Sequence, residues 1–126
     1  MSLRNPLATA RGLGSAKSGT GHWWAQRVSA LALIPLSLWF AASVLHLVFA
    51  DYVVVIVWLH APWTAVLLSL FLSTLFYHAY LGVQVVVEDY VHTEWLKIAT
   101  LLLIKFICIL FAAAGVFTAL RIAFGA

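Results

Sequence analysis

"PWTAVLLSLFLSTLFYHAYLGVQVVVEDYVH", residues 62–92, decides the fold. From Pro62 to Val87 it carries no Asp, Glu, Lys or Arg. A helix needs roughly 20 apolar residues to cross about 30 Å of hydrocarbon, and this run exceeds that. Barrel strands alternate and last about ten residues, which excludes them here. In hydrocarbon each backbone N–H and C=O must find a partner within the protein, so the stretch is predicted to be a helix. Two features interrupt it. His78 stands alone in apolar sequence, and Glu88, Asp89, Tyr90 and His92 crowd together just after the run.

The rest of the chain repeats the pattern. Residues are 65% hydrophobic and 9% charged, whereas soluble domains are near half apolar and a quarter charged. The 126 residues suffice for three spans with short connections and leave no sizeable soluble core. Any chemistry on a water-soluble substrate therefore needs partner subunits. The first apolar run, Val28–Ala50, follows "GHWWAQR", whose Trp23 and Trp24 suit an interfacial belt. Pro35 inside it predicts a kink. A connection is expected around Tyr52–Pro62, and a third span from about Leu96 to Phe124. The fold class is thus an all-α membrane protein with spans at about 25–50, 62–87 and 96–124. These make a transmembrane domain over 23–126, preceded by an N-terminal arm over 1–22.

Charge placement matters more than the net +3. Arg4, Arg11, Lys17 and Arg27 precede or open the first span, and the loop after that span carries no Lys or Arg. Lys97 follows the second span, with Lys105 two turns further on. Arg121 alone argues the other way. The positive-inside rule places the N-terminus and the Glu88–Lys97 turn in the cytoplasm and the C-terminus outside. Arg27 and Tyr90 then share one membrane face. This is an orientation signal and not a nucleic-acid footprint, since no basic stripe with interleaved aromatics follows. The arm lacks acids and has the Arg, Ser and Ala content of an organellar transit peptide. Retained in the mature chain, it favours a bacterial protein. The single cysteine, Cys108, lies in an apolar run, where packing is its expected role.

His78 precedes Asp89 by eleven residues, about 16 Å along a helix. That puts it near the bilayer midplane, where an ionisable side chain normally faces a partner or a cofactor. Gly82, one turn on, leaves a flat slot beside it. Two readings stay open. A neutral imidazole beside such a slot suits axial ligation of haem iron. Equally, a histidine can hydrogen-bond across helices with the glycine as a packing notch. One midplane histidine supplies one ligand, so a second would come from another chain. His46 lies near the opposite face and is expected to be a packing histidine. His22 and His60 fall in connections and are expected at the interface or in water. Arg27 can snorkel to the headgroups or offer its fork of donors to an anionic group. Gln26 and Ser29 flank it, as polar residues commonly do at helix starts. Lys105 is expected to snorkel or to meet a partner carboxylate. In "EDYVH", each residue alone fits a solvated turn. Together Tyr90, Asp89 and His92 offer a hydrogen bond and proton exchange at the membrane surface, as a lipid-soluble quinone would need.

"HAYLGVQVVVEDYVH" resembles the second-helix motif of the small cytochrome b membrane anchors of succinate dehydrogenase, respiratory complex II. His78, Ala79, Tyr80, Gly82, Asp89 and Tyr90 fill the family's places. "GHWWAQRVSALALIPL" is similar to the first-helix opening of alphaproteobacterial members. The resemblance covers essentially the whole chain. It implies half of a heteromeric haem-binding helical bundle. His78 would be one axial ligand of haem b, the other coming from the sister cytochrome b subunit. Gly82 would pack against the haem and Arg27 would lie near its propionates. Tyr90 would hydrogen-bond a ubiquinone carbonyl, and Asp89 would link that site to cytoplasmic water. The implied partners are the sister cytochrome b subunit, the iron–sulfur subunit, the flavoprotein subunit and the lipid bilayer. The implied place is a bacterial inner membrane, with the C-terminus periplasmic. The chain itself would do no succinate chemistry. The family's serine-arginine quinone motif belongs to the sister cytochrome b subunit and is not matched by "QRVS", so Ser29 receives no quinone role. Rival readings are the anchor of a quinol:fumarate reductase, a purely structural subunit or a small transporter. All four acids lie near predicted span ends, which disfavours the transporter.

Overall fold

The computed structural model describes residues 19–125. Among them are four helices, which we label α1 (Gly19–Leu47), α2 (Tyr52–His60), α3 (Pro62–Tyr90) and α4 (Glu94–Ala123). Three are long and apolar enough to cross a membrane: α1, α3 and α4. At 29, 29 and 30 residues, each is about 44 Å long and overreaches a hydrocarbon core of about 30 Å. The chain is an all-α membrane protein.

The three spans fall where the apolar runs predict, with shifted ends. α1 begins at Gly19, so the last residues of the expected arm are helical; residues 1–18 of that arm lie outside the described part. α1 also continues through Pro35. Proline removes one backbone donor there, and the Ser37 hydroxyl donates to the nearby Ile34 carbonyl at 3.1 Å. α3 starts with Pro62 at its first position, where the missing N–H costs nothing. α4 closes at Phe124, and Gly125 follows at φ 72°, the left-handed geometry that glycine adopts without strain.

The connection differs from expectation. Residues 52–60 form a helix of nine residues instead of an irregular link. At about 14 Å it is too short to span. "YVVVIVWLH" is apolar up to its terminal His60, so its backbone pairs internally, while none of its residues is buried. It contacts α3 and α4, and Trp58 stacks on Trp39 of α1 with ring centres 5.9 Å apart.

α3 is the hub, packing against α1 on one side and α4 on the other. Phe40 stacks on Phe71 across the α1–α3 seam at 4.8 Å. Phe76 stacks on Phe111 across the α3–α4 seam at 6.0 Å. Further along that second seam Gly115 lets Leu72 approach so closely that an added Cβ would stand 2.8 Å from Leu72 Cδ1. Few residues are buried by this arrangement: Ala65, Phe71, Leu81, Val87 and Ala119, with the polar Ser29 and Thr64. The remaining apolar surface faces outward, as lipid and partner helices require.

A polar seam between the first and third helices

His78 lies two residues past the midpoint of α3 toward Tyr90, about 3 Å from the helix centre. Its ring enters the seam with α1. Nδ1 is 2.8 Å from the Ser29 hydroxyl oxygen, and Nε2 is 3.4 Å from the Gln26 side-chain nitrogen. Ser29 also donates to the Gln26 backbone carbonyl at 3.1 Å. A serine hydroxyl has one proton to give. Directed to that carbonyl, it leaves the oxygen as acceptor of the Nδ1–H. Nε2 then carries the lone pair, and the Gln26 amide donates to it across the longer distance.

The interhelical hydrogen bond is thus present, and it uses one ring nitrogen well and the other weakly. Gly82 is the notch beside it. An added Cβ would meet only the Gln26 amide nitrogen, at 3.7 Å. Gln26 Oε1 is buried and has no hydrogen-bond partner. One turn toward the N-terminus, His22 Nε2 is likewise buried and unpartnered. The expected place of His22 is a connection; α1 begins early enough to carry it into the seam instead. His22, Gln26 and Ser29 recur at i, i+4 and i+7, so they form one stripe facing α3. Composition and motif alone assign Gln26 and Ser29 no role. That spacing, continued back to His22, is the signal that finds them.

Arg27 points elsewhere. Its guanidinium lies over the Trp23 ring, 5.3 Å from the centroid, in the cation–π geometry that suits an interfacial pair. Asp89 and Tyr90 are both exposed at the last turn of α3. Eleven residues at about 100° each bring Asp89 back to the His78 side of α3, while Tyr90 is turned by about 120° from it. Tyr90 lies about 18 Å along the helix from His78. Nearby, Gln84 donates to Glu88 at 2.8 Å, and Lys97 pairs with Glu94 at 3.5 Å. His46 sits in the last turn of α1 and His60 ends α2, both away from His78. No group of three or more His, Cys, Asp or Glu side chains gathers among the described residues.

For haem ligation, the His78 side of this seam would offer half a site. With Ser29 accepting from Nδ1–H, Nε2 would be free of its proton; the group opposed to it is an amide at 3.4 Å, and the adjacent position, Gly82, lacks a side chain. A second concavity, about 520 Å³, opens on the other seam between α3 and α4. Tyr77, Tyr80, Lys105 and Cys108 line it. Lys105 thus borders an apolar groove at a level similar to that of His78, eleven residues past Glu94 against twelve before Tyr90, and Cys108 packs beside it.

Residues 1–112 match the family of succinate dehydrogenase/fumarate reductase transmembrane subunits. The chain is 36% identical to the succinate dehydrogenase hydrophobic membrane anchor subunit of Rickettsia bellii, over 86% of each chain. It is 31% identical to the protein of the same name from Paracoccus denitrificans, over 96% of this chain and 93% of that one. The succinate dehydrogenase membrane anchor subunit of Reclinomonas americana is 32% identical over 74% of this chain and 80% of its own. No solved structure matches.

Proposed function

Because the chain belongs to the family of succinate dehydrogenase/fumarate reductase transmembrane subunits, we propose that it is half of a haem-holding membrane anchor that helps deliver electrons from succinate to ubiquinone. The other half is the sister cytochrome b subunit, and the iron–sulfur and flavoprotein subunits dock on the cytoplasmic face. The relatives named above are all succinate dehydrogenase subunits, which favours succinate oxidation over fumarate reduction. The membrane is a bacterial inner membrane, with the N-terminus cytoplasmic and the C-terminus periplasmic.

One observation carries the reading. His78 stands in the membrane interior with Nδ1 held at 2.8 Å by Ser29 and Nε2 in a weak contact beside Gly82. Bound haem b supplies a one-electron store within the membrane. The chain's own residues do the rest. His78 would hold the iron through one ring nitrogen, with the sister cytochrome b subunit supplying a second ligand. Gly82 keeps the neighbouring helix surface flat. Arg27, whose guanidinium lies over Trp23, would hold the propionates. At the end of α3, the exposed Tyr90 hydroxyl donates to a ubiquinone carbonyl. Asp89, equally exposed, relays protons from water. Tyr90 lies within the reach of lipid-soluble quinone because α3 ends there and the chain turns back at Val91–Thr93.

The reduced-minus-oxidised visible spectrum of the purified complex tests this. It should show a b-type band that His78→Leu abolishes. An unchanged band in that variant removes the ligand role.

A further inference from the structure

We propose that Ser29 is the positioning residue that selects which nitrogen of His78 meets the iron, and that sets the electron affinity of the haem held there. The inference rests on the reading of His78 as a haem ligand.

Three observations converge on it. Ser29 is one of only two buried polar residues among those described, at 5% exposure. Its single proton has the Gln26 carbonyl within reach at 3.1 Å, three residues back along its own helix. With the proton turned there, the oxygen is an acceptor toward Nδ1, 2.8 Å away. No titratable chemistry is needed for the choice: a backbone carbonyl orients the hydroxyl, and the hydroxyl orients the ring. Nε2 is left with its lone pair toward Gln26, in a 3.4 Å contact that a stronger ligand displaces. Gln26 has room to yield, since its other terminal atom, Oε1, has no partner to lose.

A hydrogen bond from the distal N–H of a ligating imidazole raises its basicity, and such outer partners commonly govern about tenfold to hundredfold in metal affinity. A more basic imidazole favours ferric over ferrous iron. Ser29 therefore holds the potential of the haem down. Arg27 and Tyr90, which the resemblance singles out, have no contact with the ring that would do this.

The test is a potentiometric titration of the intact, membrane-extracted complex, with haem per flavin and the electron paramagnetic resonance of the oxidised haem recorded alongside. Ser29→Ala should raise the midpoint potential, by about 59 mV if the lost bond is worth tenfold in ferric over ferrous binding. It should also shift the resonance. Ser29→Thr restores the hydroxyl on the same carbon and should return both toward wild type. A side chain that merely fills space would not be rescued in this way. Ser29→Cys keeps the bulk but weakens the acceptor. It should move the potential in the same direction by less, and it carries the test if the alanine complex assembles poorly. Wild-type potential and resonance in haem-loaded Ser29→Ala or Ser29→Cys overturn the proposal while leaving His78 as ligand. An unaltered haem band in His78→Leu overturns both.

Discussion

The two seams of α3 are built on opposite principles. Against α4, the helix offers apolar shape: Phe76 on Phe111 and Leu72 seated over Gly115. Against α1, it adds a polar line, with His78 meeting Ser29 and Gln26 beside the Phe40–Phe71 stack. In lipid the hydrophobic effect does not draw helices together; close packing and hydrogen bonds do. The α4 seam meets that need chiefly with packing, although Ser69 Oγ on α3 is also buried without a partner. The α1 seam carries polar atoms at a cost, two of them without partners, and such groups in a membrane mark function. On the function proposed above, the contrast gives structure to one side of α3 and the haem ligand to the other.

The largest test of that division is to exchange the damage. His78→Leu should remove essentially all haem while the complex still assembles, read as haem per flavin. Gly115→Leu should do the reverse. It forces a branched side chain into Leu72, and the yield of assembled complex should fall severalfold before any change in the spectrum of what remains. Haem loss from a fully assembled Gly115→Leu complex would dissolve the comparison.

Tyr90→Phe comes next. It removes one hydrogen bond at the exposed end of α3, and quinone reduction should drop by about tenfold to a hundredfold, the worth of a bond to developing charge. Haem content should stay at wild type, because the two positions are about 18 Å apart. Full quinone reductase activity would detach Tyr90 from the quinone. Phe76→Ala is smaller still. It breaks a stacked pair worth about 0.5–1.5 kcal/mol, measurable as a lower thermal midpoint with an unshifted haem potential. Lys97→Ala ends the series. Its pair with Glu94 lies at the surface, the carboxylate 81% exposed, so stability should change by no more than about 0.5 kcal/mol.

The spans were legible in the sequence because one rule dominates: apolar runs longer than a bilayer must pair their backbones internally. α2 was not. Nine residues of uniform apolarity have no period, and a link and a short helix look alike at that length. His78 stood out in the sequence by its place in the apolar run, counted from Asp89, and the structure brings it into the α1 seam. Its partners were hidden for a different reason. Gln26 and Ser29 look like ordinary polar residues at a helix start, and only the register between α1 and α3 shows that they reach a histidine 52 and 49 positions away. The same register brings His22 inside. The exposure of Tyr90 and Asp89 agrees with a site completed by other chains, where the residues of one chain can meet the reactant only from one side.

α2 and α3 are separated by the single residue Ala61, whose φ of −65° and ψ of 126° turn the chain between them. α2 touches α3 and α4, and Trp58 rests on Trp39 of α1. It therefore acts as an outrigger. A lone helix in a bilayer is free to roll about its long axis, and a roll of one residue's worth, about 100°, would carry His78 out of the seam. With α2 fastened to its end and braced on its neighbours, α3 cannot roll without lifting that brace. A short segment that never crosses the membrane thus fixes the compass bearing of a side chain buried in the middle of it.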